Sequence, residues 1–131
     1  MNQTDPPPRP TDAELSILRV LWKKSPASVR EVLERLNATR KEPLGYTTVL
    51  KFLQIMTEKG LVCRDADERA HQYRPAVAPE KTKRLMVSDL LDRVFEGSAV
   101  DLVMQALGSR KVSAAELAEI RRLLDEKGGA Q

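Results

Sequence analysis

The chain has 131 residues, of which 41% are hydrophobic, 31% charged and only 4% aromatic; this suits one soluble domain, or a small domain with an appendage, around an aliphatic core. A single cysteine, Cys63, excludes an internal disulfide framework. Neither a basic-then-apolar leader nor an apolar run of membrane-spanning length is present, so a cytoplasmic location is expected. The net charge is +3, and its distribution is uneven: residues 1–76 hold 13 Lys and Arg against 10 Asp and Glu, while residues 77–131 hold 9 of each. The excess fits a basic binding half followed by a neutral assembly half.

Residues 1–10, MNQTDPPPRP, are proline-rich and without periodicity, which predicts a disordered or extended tail. A first helix is predicted from Thr11, because Thr11-x-x-Glu14 has the spacing of a capping box. Leu15, Leu18, Leu21 and Trp22 form its apolar stripe, Lys23 and Lys24 complement the carbonyl end, and Ser25-Pro26 turns the chain out. Trp22 is read as core because it lies on that stripe. A second helix is predicted from Ser28, again with a box to Glu31, burying Val29, Val32, Leu33 and Leu36 and leaving Arg30, Glu34 and Arg35 outside. It ends in Asn37 to Lys41, and Pro43 to Gly45 completes the loop.

The segment Gly45 to Val62 predicts a third helix. Tyr46, Thr47 and Thr48 give a polar start, and either threonine could cap it. Val49, Phe52, Leu53 and Met56 fall on one stripe, and Lys59-Gly60 is a stop signal. The opposite face carries Thr47, Thr48, Lys51 and Gln54, all hydrogen-bond donors and none acidic, clustered in the first two turns. Such a face suits the major groove of DNA, although on these residues alone an ordinary solvated face is the commoner case. Short strands at Leu61–Arg64 and His71–Arg74, joined by the polar turn 65–70, then predict a β-hairpin carrying Arg64, Arg69, His71 and Arg74. A hairpin after three helices is the winged-helix order, in which the wing touches phosphates or the minor groove.

From Pro79 the chain reads as helical. Leu85, Met86, Leu90, Leu91, Val94 and Phe95 make a wide stripe, broken at Gly97-Ser98. Ser98 can cap a helix with Val100, Leu102, Val103, Ala106 and Leu107, ended by Gly108. Ser113-x-x-Glu116 opens a last helix with Leu117, Ile120, Leu123 and Leu124, fraying at Gly128-Gly129. Three amphipathic helices in so short a segment cannot cover their own apolar faces. A symmetric dimer would, and packing on the N-terminal domain in a monomer is the alternative. The predicted fold class is mainly α with a small β-hairpin: a winged helix-turn-helix domain over 11–76 and a helical dimerisation domain over 77–131. The expected dimer contacts are Leu90, Leu91, Val94, Leu102, Val103, Leu117, Ile120 and Leu124.

No catalytic constellation, glycine-rich phosphate loop or metal-ligand set is present, so neither an enzyme nor a cofactor is expected. His71 is the only histidine and lacks partners for a triad or zinc site. Cys63 reads as a small apolar strand residue. The alternative function is a winged-helix module that binds protein rather than DNA, since fold does not fix function.

The segments TDAELSILRVLW (11–22), YTTVLKFLQIMTEKGLV (46–62), RAHQYRP (69–75) and VSAAELAEIRRLL (112–124) resemble the penicillinase repressor family, also called the BlaI/MecI family. The likeness spans residues 11–127. It implies a homodimeric winged-helix repressor on a palindromic DNA operator, upstream of genes for β-lactam resistance or related stress functions. By that resemblance Thr47, Thr48 and Lys51 would read the major groove, Tyr46 would support the helix start and touch the backbone, and Arg69, His71 and Arg74 would belong to the wing. β-Lactam-responsive members are cleaved in the dimerisation segment once a membrane-bound sensor metalloprotease is triggered. The corresponding bond is Gln105–Ala106, where cleaved members carry Asn-Phe, so the chain departs from the pattern there. The copper-responsive branch adds paired Cys-x-Cys motifs; one cysteine cannot build that site.

Overall fold

Two reciprocal caps set the first two helices. In the computed structural model, which describes residues 8–65 and 71–129, the Thr11 hydroxyl accepts from the Glu14 amide at 3.2 Å and Glu14 Oε1 accepts from the Thr11 amide at 2.9 Å. This starts α1, Asp12–Lys23. Ser28 and Glu31 repeat the exchange at 3.1 and 2.9 Å and start α2, Val29–Asn37. The loop after α2 is closed by one side chain: the Asn37 amide donates to the Leu44 carbonyl at 3.0 Å, and its oxygen accepts from the Leu44 amide at 2.8 Å. That clamp fixes where α3, Tyr46–Lys59, begins. Gly60 ends α3 at φ 82°, and its amide donates back to Met56 and Thr57.

The core is aliphatic, as the composition requires. Ile17, Leu18 and Leu21 of α1, Val32 and Leu36 of α2, and Val49, Leu53 and Met56 of α3 are buried together with Leu61, Val62 and Tyr73. Three stripe positions differ from the sequence expectation: Leu15, Trp22 and Leu33 are half-buried, and Ile17 takes the inner position on α1. Phe52 likewise packs on the rim of the core. An ion pair closes the far end of the helix trio. Glu14, only 3% exposed, accepts from Lys59 Nζ at 2.7 Å while its cap bond to Thr11 persists. Burial pulls this carboxyl up, but the Lys59 and Thr11 hydrogen bonds and the lysine charge outweigh it, and its pKa lies below the usual glutamate value.

The sheet has three strands rather than a bare hairpin. β1, Ala27–Ser28, pairs antiparallel with β3, Gln72–Pro75, which pairs antiparallel with β2, Val62–Asp65. A two-residue strand before α2 carries no periodic signal, and it exists because Ala27 is buried opposite Tyr73. Most of the predicted wing turn, residues 66–70, lies outside the described residues, as do residues 1–7 of the predicted tail. The described end of that tail is not free, because Pro10 is buried.

Beyond the sheet come α4 (Pro79–Val94), α5 (Ala99–Ser109) and α6 (Ala114–Gly129). The Ser98 hydroxyl accepts from the Asp101 amide at 3.1 Å, and Ser113 and Glu116 form a third capping box. Helix α5 runs one residue past Gly108, and α6 reaches Gly129. The chain divides into two compact units, one through Val87 and one from Ser88. The division falls inside α4, beyond the 76/77 break read from sequence. In the part of α4 that belongs to the first unit, Thr82 is buried and the Lys83 ammonium lies 5.6 Å from the Trp22 ring centroid.

Candidate nucleic-acid interface

Helix α3 starts without a side-chain cap. The preceding residue is Gly45, in extended conformation, and neither Thr47 nor Thr48 caps; both lie in the first turn. The first intrahelical bond runs from the Val49 amide to the Gly45 carbonyl at 3.2 Å. The amides of Tyr46, Thr47 and Thr48 therefore have no acceptor within the helix, and the first turn holds no acid. An uncapped, acid-free helix start is electropositive and suited to phosphate. A side-chain cap or a first-turn carboxylate would have cancelled both properties.

Thr47, Thr48, Lys51 and Gln54 are all exposed on the side of α3 opposite Val49, Leu53 and Met56. Ile55, 38% exposed, joins them. It sits off the apolar stripe, and that irregularity was its only sequence signal; on a groove-reading helix such a side chain fits a thymine methyl. Further along, Glu58 is exposed and Thr57 donates to the Leu53 carbonyl at 2.7 Å, so the donor-rich face ends after Gln54.

Beside α3 lies a groove of about 560 Å³ between the start of α2, α3 and the sheet. Tyr46, Gln54, Arg64 and His71 line it, and so does Arg30. The Arg30 guanidinium sits 5.4 Å from the Tyr46 ring centroid, where the ring face attracts it. Periodicity marks Arg30 only as an outward residue of α2; its place beside Tyr46 follows from how α2 crosses α3. Arg64 and Tyr73 are register partners, so Arg64 and His71 share the sheet face that meets the groove. Arg74 is partnered with Cys63, on the other face, and pairs with Asp65 at 3.5 Å. The expected cluster of four wing donors is thus divided: Arg64 and His71 stand together, Arg74 stands apart, and Arg69 lies outside the described residues.

Among the described residues no group of three His, Cys, Asp or Glu could hold a metal ion. Cys63 is a half-buried free thiol. No described helix is long and apolar enough to cross a membrane.

A helix-turn-helix with an uncapped donor-bearing helix and a strand-borne pair of donors, Arg64 and His71, defines a winged-helix DNA-binding protein. The sequence profile of the family described as penicillinase repressor matches residues 10–126. The chain belongs to that family of DNA-binding transcriptional repressors. It is 36% identical over 117 residues to the transcriptional regulator BlaI of Mycobacterium tuberculosis, covering 88% of this chain and 82% of that one. It is 25% identical over 119 residues to the penicillinase repressor of Bacillus licheniformis, covering 91% of each. A solution structure of monomeric Bacillus licheniformis BlaI with the blaP half-operator superposes with TM-score 0.49 at 27% identity, over 57% of this chain and 89% of that one.

In the second unit, all eight expected dimer residues lie at or near the surface. Leu90, Val94, Val103 and Leu124 are exposed, the last to 65%, while Leu91, Leu102, Leu117 and Ile120 are half-buried. Val100, Met104, Leu107 and Leu123 are exposed as well. Gln105 and Ala106 are exposed within α5, and Gln105 Nε2 donates to Asp101 at 3.3 Å.

Proposed function

We propose that this repressor acts as a homodimer on a palindromic operator, each copy placing the start of α3 in the major groove. The observation that carries the reading is the uncapped, acid-free first turn of α3, with exposed Thr47, Thr48, Lys51 and Gln54 directly behind it. In this reading Thr48 and Lys51 contact base edges, and Arg30, Tyr46, Arg64 and His71 hold the flanking backbone. Arg69 and Arg74 complete the wing contacts. The exposed apolar residues of α4 to α6 support a second copy as their cover, because such a surface left in water is costly and aggregation-prone. The regulated genes are those of β-lactam resistance or related stress functions, by kinship, and the protein works in the cytoplasm.

A membrane-bound sensor metalloprotease is the upstream partner that kinship offers. Cleavage at Gln105–Ala106 would require α5 to open, since a protease needs extended backbone and both residues are helical. With Gln-Ala at the bond, we infer that release from the operator does not run through that cut; an unbroken chain after induction is the expected result on an immunoblot.

Operator selection from random duplexes tests the central claim, and an inverted repeat should emerge. On that repeat Lys51→Ala should lose about 1–3 kcal/mol of binding and relax preference at one base position. Affinity should also fall steeply with added salt. Equal affinity for the repeat and for bulk genomic fragments would overturn the reading and favour a protein-binding winged helix.

A further inference from the structure

Leu15 and Trp22 lie on the apolar stripe of α1, yet the core leaves them half-buried. With Met86 and Val87 of α4 they wall an open groove of about 650 Å³ that lies wholly within the first unit. Its remaining lining residues are Arg19, Lys23 and Lys83, all exposed cations, and no acid lines it. The Lys83 ammonium is held near the Trp22 ring, 5.6 Å from its centroid. Lys83 also pairs with Glu80 at 3.6 Å, but that pair is exposed and an incoming anion displaces it at little cost. The Trp22 indole Nε1–H is enclosed and meets no acceptor among the described residues, which is unusual for a buried donor.

We propose that this groove is a binding site for a small organic anion: one or two aromatic rings bearing a carboxylate or sulfonate. Four apolar side chains and this volume match a ring system, since ligand sites run to several hundred Å³. The same four side chains fall well short of the roughly 800 Å² per partner that a stable chain–chain contact buries. The indole face takes a stacked ring, and the Met86 thioether favours an aromatic edge. Arg19 offers a planar fork to a carboxylate, and Lys83 adds a second charge. A neutral ligand would use only the apolar walls. The site is separate from α3, so it stands or falls independently of the operator reading.

The test uses the full ¹⁵N-labelled chain, in which Trp22 is the only tryptophan and gives the single indole cross-peak. Titration with 2-naphthoate should move that peak saturably, with a Kd below about 1 mM. The neutral isostere 2-naphthylmethanol should bind about tenfold more weakly, and the surface double variant Arg19→Ala/Lys83→Ala should weaken naphthoate by a similar factor. The backbone spectrum of that variant reports that it is folded. Three results would each overturn the site: an indole peak that stays fixed up to about 10 mM naphthoate, equal binding of acid and alcohol, or an unchanged Kd in the double variant.

Discussion

The two units share one device for starting helices and end in opposite states. Thr11 with Glu14, Ser28 with Glu31, and Ser113 with Glu116 are equivalent capping boxes. The first unit turns its helices inward around thirteen buried apolar residues, the last of them Tyr73. In the second unit no described residue is fully buried, and its leucines and valines are exposed or half-buried. Caps decide where a helix begins, not whether its apolar stripe finds a cover. The first unit finds cover in its own α1, α2, α3 and sheet; the second has three amphipathic segments and too little mass to enclose them.

The sharpest way to break this contrast is to truncate one leucine in each unit. Leu53→Ala, at a wholly buried position, should lower stability by about 2–5 kcal/mol in urea unfolding followed by Trp22 fluorescence. Leu124→Ala should leave that transition in place; an equal loss would mean that both units share one core. Next in size is the assembly effect. Leu124→Asp should halve the mass seen by light scattering and lower operator affinity roughly a hundredfold, because each half-site would then bind alone. A wild-type chain that is already monomeric at micromolar concentration would remove the dimer.

A smaller effect tests how the first unit is locked. Glu14→Gln should cost roughly 1–3 kcal/mol at pH 7, part of it lost because Lys59 stays partly hydrated. The folded-state pKa of Glu14 is depressed, so its carboxylate stabilises the fold above the usual value of 4.5 and that contribution is lost as pH falls through the lower folded value. Wild type and variant should therefore converge in acid; a constant gap from pH 7 to pH 3 would show that the charge is irrelevant. The smallest expected change separates positioning from reading within α2 and α3. Arg30→Ala should weaken all duplexes alike by about 1 kcal/mol and reduce the salt dependence, whereas Lys51→Ala should change sequence preference. Sequence-dependent loss from Arg30→Ala would move that residue from backbone to base.

The exposed face of α3 was partly legible before the fold was known. Thr47, Thr48, Lys51 and Gln54 were readable because helical spacing alone assigns them to one face. Arg30 was not, because its partner Tyr46 lies in a different helix. The wing misled in one respect: four donors close in sequence suggested one cluster, but strand alternation and the register of Cys63 with Arg74 send Arg74 to the opposite face from Arg64. The threonines suggested a cap, yet the chain places Gly45 there and leaves the amides of the first turn open.

By itself the sequence determined the three capping boxes, the Gly60 stop, most of the aliphatic core stripes, the helix-then-wing order and the family, because these depend on neighbours a few residues apart. Tertiary structure decided the third strand at Ala27–Ser28, the burial of Glu14 against Lys59, the groove that gathers Arg30 with Arg64 and His71, and the half-buried Trp22 beside Lys83. Each of these joins residues far apart in the chain. Side-chain periodicity fixes which face of a helix is apolar, but only the crossing of one element over another fixes what that face, and the charges at its edges, will meet.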